Sequence, residues 1–294
     1  MANSRALNIS FEFFPPKSPE GYQNLKGVAS RLADHAPDFF SVTFGAGGST
    51  RDGTLDTVKI LQEATAIPVA PHLACVGSSR QALVEILKSY QALGIKRLVA
   101  LRGDLPAGMG QDGELRFAHD LVALVREVTG NHFHIEVAAY PECHPQAKNM
   151  HADILNLKHK YEAGANSAIT QYFFSADSYF YFLDECAKQK IFMPIVPGIM
   201  PIANFPKLVR FSQVCGAEIP QWLRKRLEAY GDDKESIKAF GFEVVHDLCQ
   251  RLIKGGAPGL HFYTLNHTEL SIKLLINLDL APQKSHAQWL FAGL

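Results

Sequence analysis

At 294 residues, 47% hydrophobic and 20% charged, the chain is long enough for one large domain or two small ones and can bury a sizeable core, which excludes a disordered polymer. Its 29 Lys and Arg balance 29 Asp and Glu, which excludes bulk attraction to nucleic acid or anionic lipid and leaves room only for a local basic pocket. The longest charge-free apolar stretch (191–205) is broken by Pro194, Pro197 and Pro201, the N-terminal MANSRALNIS lacks a signal-peptide core, and the five scattered cysteines form no CxxC pair, so a reduced cytoplasmic protein outside the membrane is expected.

Segments rich in β-branched and aromatic residues predict strands near Asn8–Phe13, Phe39–Phe44, Val69–Leu73, Arg97–Leu101, His134–Tyr140, Ser167–Phe173, Phe192–Pro197 and Gly259–Thr264. Amphipathic helices fall between most of them. Ser18-Pro19 reads as an N-cap followed by proline at the first helical position, with Leu25, Val28, Ala29 and Leu32 at helical spacing behind it. A later helix carries Met150, Ile154, Leu157 and Tyr161 on one stripe and stops near Gly164. Successive strand ends at Glu12, Thr43, His72, Asp104, Tyr140, Gln171 and Gly198 lie 27 to 36 residues apart, and Tyr263 follows after 65. The short intervals fit one βα unit each, and the long one leaves room for extra helices. The pattern predicts a single (β/α)8 TIM barrel spanning residues 1–294, with extra helices before the last strand. An open doubly wound sheet is disfavoured because no GxGxxG follows any strand.

In such a barrel the C-terminal strand ends carry the chemistry. Glu12 sits in FEFFPP, and a carboxyl kept from water by phenylalanines favours its protonated form, the form a general acid needs. Arg102-Gly103-Asp104 ends the fourth strand with a cation for phosphate, a glycine for close approach and a carboxylate over the barrel mouth. Beside the apolar stripe of the later helix runs a polar one, Asp153, Asn156 and Lys160, suited to a phosphate-rich ligand or to water. Gln171 offers an amide amid Tyr172, Phe173 and Phe174, a setting for a flat heteroaromatic ring. His72, Cys75, Cys143 and His144 lack the tight paired spacing of metal ligands, so no metal is expected.

Eight stretches, FEFFPPK (11–17), SVTFGAGG (41–48), PHLAC (71–75), ALRGDLP (100–106), AAYPECHP (138–145), ITQYFF (169–174), PGIMPI (197–202) and HFYTLN (261–266), resemble the bacterial 5,10-methylenetetrahydrofolate reductase family, in the same order over nearly the whole chain. The resemblance implies a flavoprotein barrel that reduces methylenetetrahydrofolate to 5-methyltetrahydrofolate with NADH through tightly bound FAD, feeding methionine synthesis. It implies that Glu12 is the general acid, that Asp104 tunes the flavin and orients the folate, and that Gln171 contacts folate and nicotinamide. Phe211 would stack on either ligand in turn, with Lys207, Tyr263 and His267 completing the substrate site. FAD would meet Thr43, Phe44, Ala46, His72, Arg102, Gly103, Asp104, Ala118, Tyr140, His144, Asp153, Asn156, His159 and Lys160. His159 replaces a common arginine, Phe44 a frequent tyrosine, and Lys207 and His267 a glutamine and an arginine that contact folate in relatives. A homotetramer is expected, and, with no regulatory domain after Leu294, no inhibition by S-adenosylmethionine. Two other readings remain at this stage. One is a flavin-free folate barrel passing a methyl group to a corrinoid partner, and the other is a metal-dependent barrel hydrolase.

Overall fold

A computed structural model describes residues 7–44, 49–103 and 114–282. Parallel strands β1 (Asn8–Phe13), β2 (Phe39–Val42), β3 (Val69–Ala74), β4 (Arg97–Leu101), β5 (His134–Ala139) and β6 (Ser167–Thr170) lie side by side in chain order. The helices between them are α1 (Pro19–Ala33), α2 (Ser49–Ala64), α3 (Arg80–Ala92), α4 (Ala118–Thr129) and α5 (Met150–Glu162). After α6 (Ala176–Lys188), the predicted seventh strand arrives in two pieces, β7 (Ile195–Val196) and β8 (Gly198–Ile199). Pro197 between them has no N–H to give a ladder, so the chain turns there. β7 pairs with β6, and β8 pairs with β9 (Gly259–Tyr263), which returns to β1. The sheet is thereby rolled into an eight-stave barrel whose seventh stave is divided. The expectation of one strand over Phe192–Pro197 is corrected accordingly: Phe192 is exposed, and pairing starts only at Ile195. The room foreseen before the last strand holds α7 (Phe205–Cys215), α8 (Gln221–Ala229) and α9 (Lys234–Lys254), and α10 (Glu269–Asn277) follows β9.

Strand alternation sorts side chains to two sides of the barrel wall. Phe11, Phe13, Phe40 and Phe262 point outward into the main core beneath the helices, fully buried, with Phe11 stacked on Phe262 and Phe13 edge-on to Phe40. Inside the barrel, Phe39, Ala70 and Ile169 form a separate small apolar layer. At the same level the Arg97 guanidinium lies over the Phe39 ring at 4.4 Å and pairs with buried Glu136, which also accepts from Ser167 Oγ at 2.6 Å. Opposite charge and hydrogen bonds hold the Glu136 carboxyl below its ordinary range despite complete burial. Beside and above this plug the lumen turns polar: Ser10 pairs with His261, Glu12 meets His72 and His261, and Ser41 is buried level with Glu12 on β2. A buried polar interior is costly unless it binds something or pairs internally.

Candidate active site

Glu12 stands near the C-terminal end of β1, its side chain 18% exposed. The phenylalanines on either side of it in sequence face the other way, so they are not what surrounds it. Its carboxyl instead meets two imidazoles: Oε2 lies 3.4 Å from His72 Nε2 on β3 and 3.7 Å from His261 Nε2 on β9. Burial drives the His72 imidazole down to about 4, outweighing the pull of Glu12, so above that pH the ring is neutral and the contact is not an ion pair. An unfolded histidine titrates near 6.5. Between pH 6.5 and about 4 the unfolded chain therefore binds a proton that the folded one refuses, and stability falls as pH drops through that window. Urea unfolding at several pH values is expected to show this slope and to show it reduced in His72→Gln.

Across the mouth, Tyr263 from β9 reaches over Gly198 and donates its hydroxyl to Thr170 O at 2.7 Å. A side chain at 198 has no room, since its Cβ would lie 2.2 Å from Thr170 O and 2.6 Å from the tyrosine ring. Gln171 follows β6, where its side-chain carbonyl accepts from Tyr172 N at 3.0 Å and so presents the NH2 group as a donor. Thr43 and Phe44 follow β2 directly. Thr43 N donates to Phe13 O, its carbonyl accepts from Thr54 Oγ1, and Phe44 packs on the core. Phe211 and Lys207 are exposed on α7, and His267 is exposed after β9. Asp104 and Ala46 lie outside the described residues.

A cleft of about 300 Å³ runs from the ends of β4 and β5 along α4 and α5. Arg102, Gly103, Ala118, Tyr140, His144, Asp153, Asn156 and Lys160 line it, so eight of the residues singled out in the sequence share one wall system. Gly103 has φ +86°, and a Cβ there would meet Ala74 Cβ at 2.9 Å, so both the turn and the close packing against the end of β3 call for glycine where the chain lines the cleft. Lys160 Nζ is buried and donates to Ala138 O at 2.6 Å; burial lowers its ammonium to about 8, with Asp153 pulling the other way. Burial raises the Asp153 carboxyl, though its Oδ2 accepts from His144 N at 2.8 Å. Arg102 donates to Gln146 Oε1 at 2.5 Å. Helix α5 brings the polar stripe here, capped at its start by Asn149 Oδ1 accepting from Ala152 N at 2.9 Å. Asn149→Ala is expected to cost about 1 kcal/mol, read as a lower urea midpoint.

Phe117, His119, Gln146 and Ala147 also line the cleft and had no signal in the sequence beyond proximity to lining residues. Phe117 and His119 stack at 5.3 Å with planes 9° apart, and the His159 ring meets His119 edge-on at 5.4 Å. His159 is thus one ring behind the wall. Ser10 and His261 were likewise missed, because nothing in a strand's sequence tells which inward residues face each other. The would-be metal set is dispersed: Cys75 Sγ faces the carbonyls of Arg102 and Phe117, and His144 Nδ1 accepts from Gln146 N. Among the described residues no three His, Cys, Asp or Glu side chains converge as metal ligands, and no helix is long and apolar enough to cross a membrane.

A family model described as methylenetetrahydrofolate reductase matches residues 1–279. The 5,10-methylenetetrahydrofolate reductases of Pectobacterium carotovorum and Escherichia coli are 43% and 42% identical over 276 residues, covering 94% of this chain and 91–92% of theirs. The Arabidopsis thaliana protein named methylenetetrahydrofolate reductase (NADH) 1 is 37% identical, and its match spans 94% of this chain and 49% of its own length. A solved Clostridium thermocellum protein, described as binding two copies of 5-methyl-5,6,7,8-tetrahydrofolic acid, shares the fold with a TM-score of 0.67 at 17% identity, covering 94% of this chain and 96% of its own. With a polar barrel mouth, an adjoining cationic cleft and matches of this length, the chain belongs to the methylenetetrahydrofolate reductase family of oxidoreductases.

Proposed function

We propose that the chain reduces 5,10-methylenetetrahydrofolate to 5-methyltetrahydrofolate with NADH, using FAD held in the cleft between β4, β5, α4 and α5. The observation that carries this reading is that one end of the barrel holds both an acid, Glu12, and a groove at the ends of β4 and β5 lined by Lys160, Arg102 and flat rings. The chemistry of the groove lining suits a dinucleotide. Lys160 and Arg102 suit a diphosphate, and Tyr140, Phe117 and His119 offer ring faces. FAD would supply two-electron carriage between substrates that take turns in one place. The protein's own part is to orient and to move a proton. Glu12 Oε2 would protonate the bridging amine of the folate, opening its five-membered ring to an electrophilic iminium. Gln171 would donate to a ring heteroatom, and Phe211 on α7 would cover whichever flat ligand is present. The NADH in the name of the plant relative supports that donor.

Purified protein is expected to be yellow and to oxidise NADH only when methylenetetrahydrofolate or an artificial acceptor is supplied. Colourless protein that takes up no added FAD and shows no folate-dependent NADH oxidation would sink the reading. A flavin-free methyl transfer barrel would give that result.

A further inference from the structure

Glu12 Oε2 faces two buried imidazole nitrogens, His72 Nε2 and His261 Nε2, and neither nitrogen has a hydrogen-bond partner. The other titratable group turned toward this carboxyl among the described residues is the Tyr263 phenol, which burial keeps neutral and whose proton is given to Thr170 O. Buried polar atoms without partners are rare, and at 3.4 and 3.7 Å a side-chain shift of a few tenths of an ångström brings both nitrogens into hydrogen-bond reach of the carboxyl, the one group among the described residues placed to satisfy them. With Glu12 protonated it can: its O–H donates to bare Nε2 of His261, while His72 donates an Nε2–H. With Glu12 ionised, both rings must donate. The proton of His261 then has to sit on Nε2 rather than Nδ1.

The surroundings of His261 suit that change and little else. The ring is fully buried, stacked against Phe39 at 6.1 Å and edge-on to Tyr263 at 5.3 Å, so it is held in place. Its Nδ1 lies 2.7 Å from Ser10 Oγ, which is itself buried on β1 two residues before Glu12. A carbonyl at that spot would fix the proton on Nδ1, and a backbone N–H would exclude it. A hydroxyl accepts from Nδ1–H or donates to bare Nδ1 by rotating.

Resting on the functional reading above, we propose that His261, backed by Ser10, is a positioning residue that acts through Glu12. It accepts from the protonated carboxyl and donates to the carboxylate, while the serine hydroxyl turns to match. The ring carries one proton in both states, and only its seat differs. Glu12 can thereby lose a proton to substrate and regain one from solvent without orphaning a buried atom in either state.

Imidazole ¹⁵N shifts report the tautomer directly and need neither cofactor nor substrate, the His261 signals being assigned by their loss in His261→Gln. In the wild-type protein the His261 shifts are expected to move between the two neutral tautomers as pH is varied. In Ser10→Ala the Nδ1 partner is lost in both tautomers, and because an unpaired buried N–H is worse tolerated than an unpaired acceptor, the ring should rest as Nε2–H at every pH. A locked Nε2–H always favours the carboxylate. The alkaline limb of folate-dependent oxidation should then move to lower pH by about one unit, a tenfold slower rate at fixed pH on that limb, with NADH oxidation by an artificial quinone unchanged. Ser10→Thr, which keeps the hydroxyl, should restore the exchange. A His261 tautomer that ignores pH in wild type, or that Ser10→Ala leaves unmoved, overturns the proposal. So does an equal fall of both activities in Ser10→Ala with no displacement of the pH limb. Absence of any folate-dependent rate in wild type sinks the functional reading, while the ¹⁵N titration still decides the pairing.

Discussion

Glu12→Gln is expected to slow methylenetetrahydrofolate-dependent NADH oxidation by at least two orders of magnitude while leaving NADH oxidation by an artificial quinone near its normal rate. The amide keeps the shape of the side chain and can still pair with His72 and His261, but has no acidic proton. Only the folate reaction needs that proton, because the folate carbon becomes electrophilic after its nitrogen is protonated. General acid catalysis is typically worth about 10²–10⁴-fold. Steady-state assays with the two acceptors, run on the same preparation, separate the steps. If both rates fall together, Glu12 holds the barrel mouth in shape and is not the acid.

Lys160→Ala should weaken FAD retention about tenfold to a hundredfold, the equivalent of one lost charge-assisted hydrogen bond at roughly 1.5–3 kcal/mol. The buried position of Lys160 adds a pH signature. Its ammonium is lowered to about 8 in the cleft. A diphosphate bound beside it would favour the charged form, so binding above pH 8 must take up a proton, and affinity should decline as pH rises past that point. Below pH 7 it should be flat. Equilibrium dialysis followed by flavin fluorescence across pH 6–9 tests both parts, and the alanine variant should lose the decline along with the affinity. Unchanged occupancy would make the polar stripe of α5 a solvated helix face.

Most of the architecture was legible because parallel strands buried on both sides read as continuous apolar runs, and glycine, proline and cap residues punctuate them. Ser18 and Gly164 marked helix ends where the structure has them. That Asp153, Asn156 and Lys160 share a wall was legible as well, since they share a helix face by spacing alone, and the structure brings all three to one cleft. What failed was inference about surroundings. FEFF suggested an acid among phenylalanines, yet the period of two in a strand sends Phe11 and Phe13 into the outer core and Glu12 into the lumen. Its true neighbours come from β3 and β9, as many as 251 residues away, and register decides them. In β9, Tyr263 sits opposite Glu12 and His261 opposite Ser10. Pro197 was read as the end of a strand, whereas it is the hinge between two pieces, each paired to a different neighbour.

That divided stave sets where the ring can breathe. Each of its halves is two residues long, beside strands of four to six elsewhere, so the ladder is thinnest on both flanks of Pro197. Local opening follows the weakest cooperative unit, which puts the lowest barrier at this seam rather than at the deep β3–β4 edge. The amides of Ala168 and His261, bonded to Pro194 O and Pro197 O, should accordingly exchange with heavy water sooner than those of β3 and β4. The Tyr263 hydroxyl, anchored on β9 and closed on Thr170 of β6, straddles the gap like a buckle. The part of the wall best able to yield thus lies beside Tyr263 and Thr170, next to the end of β6 from which Gln171 follows.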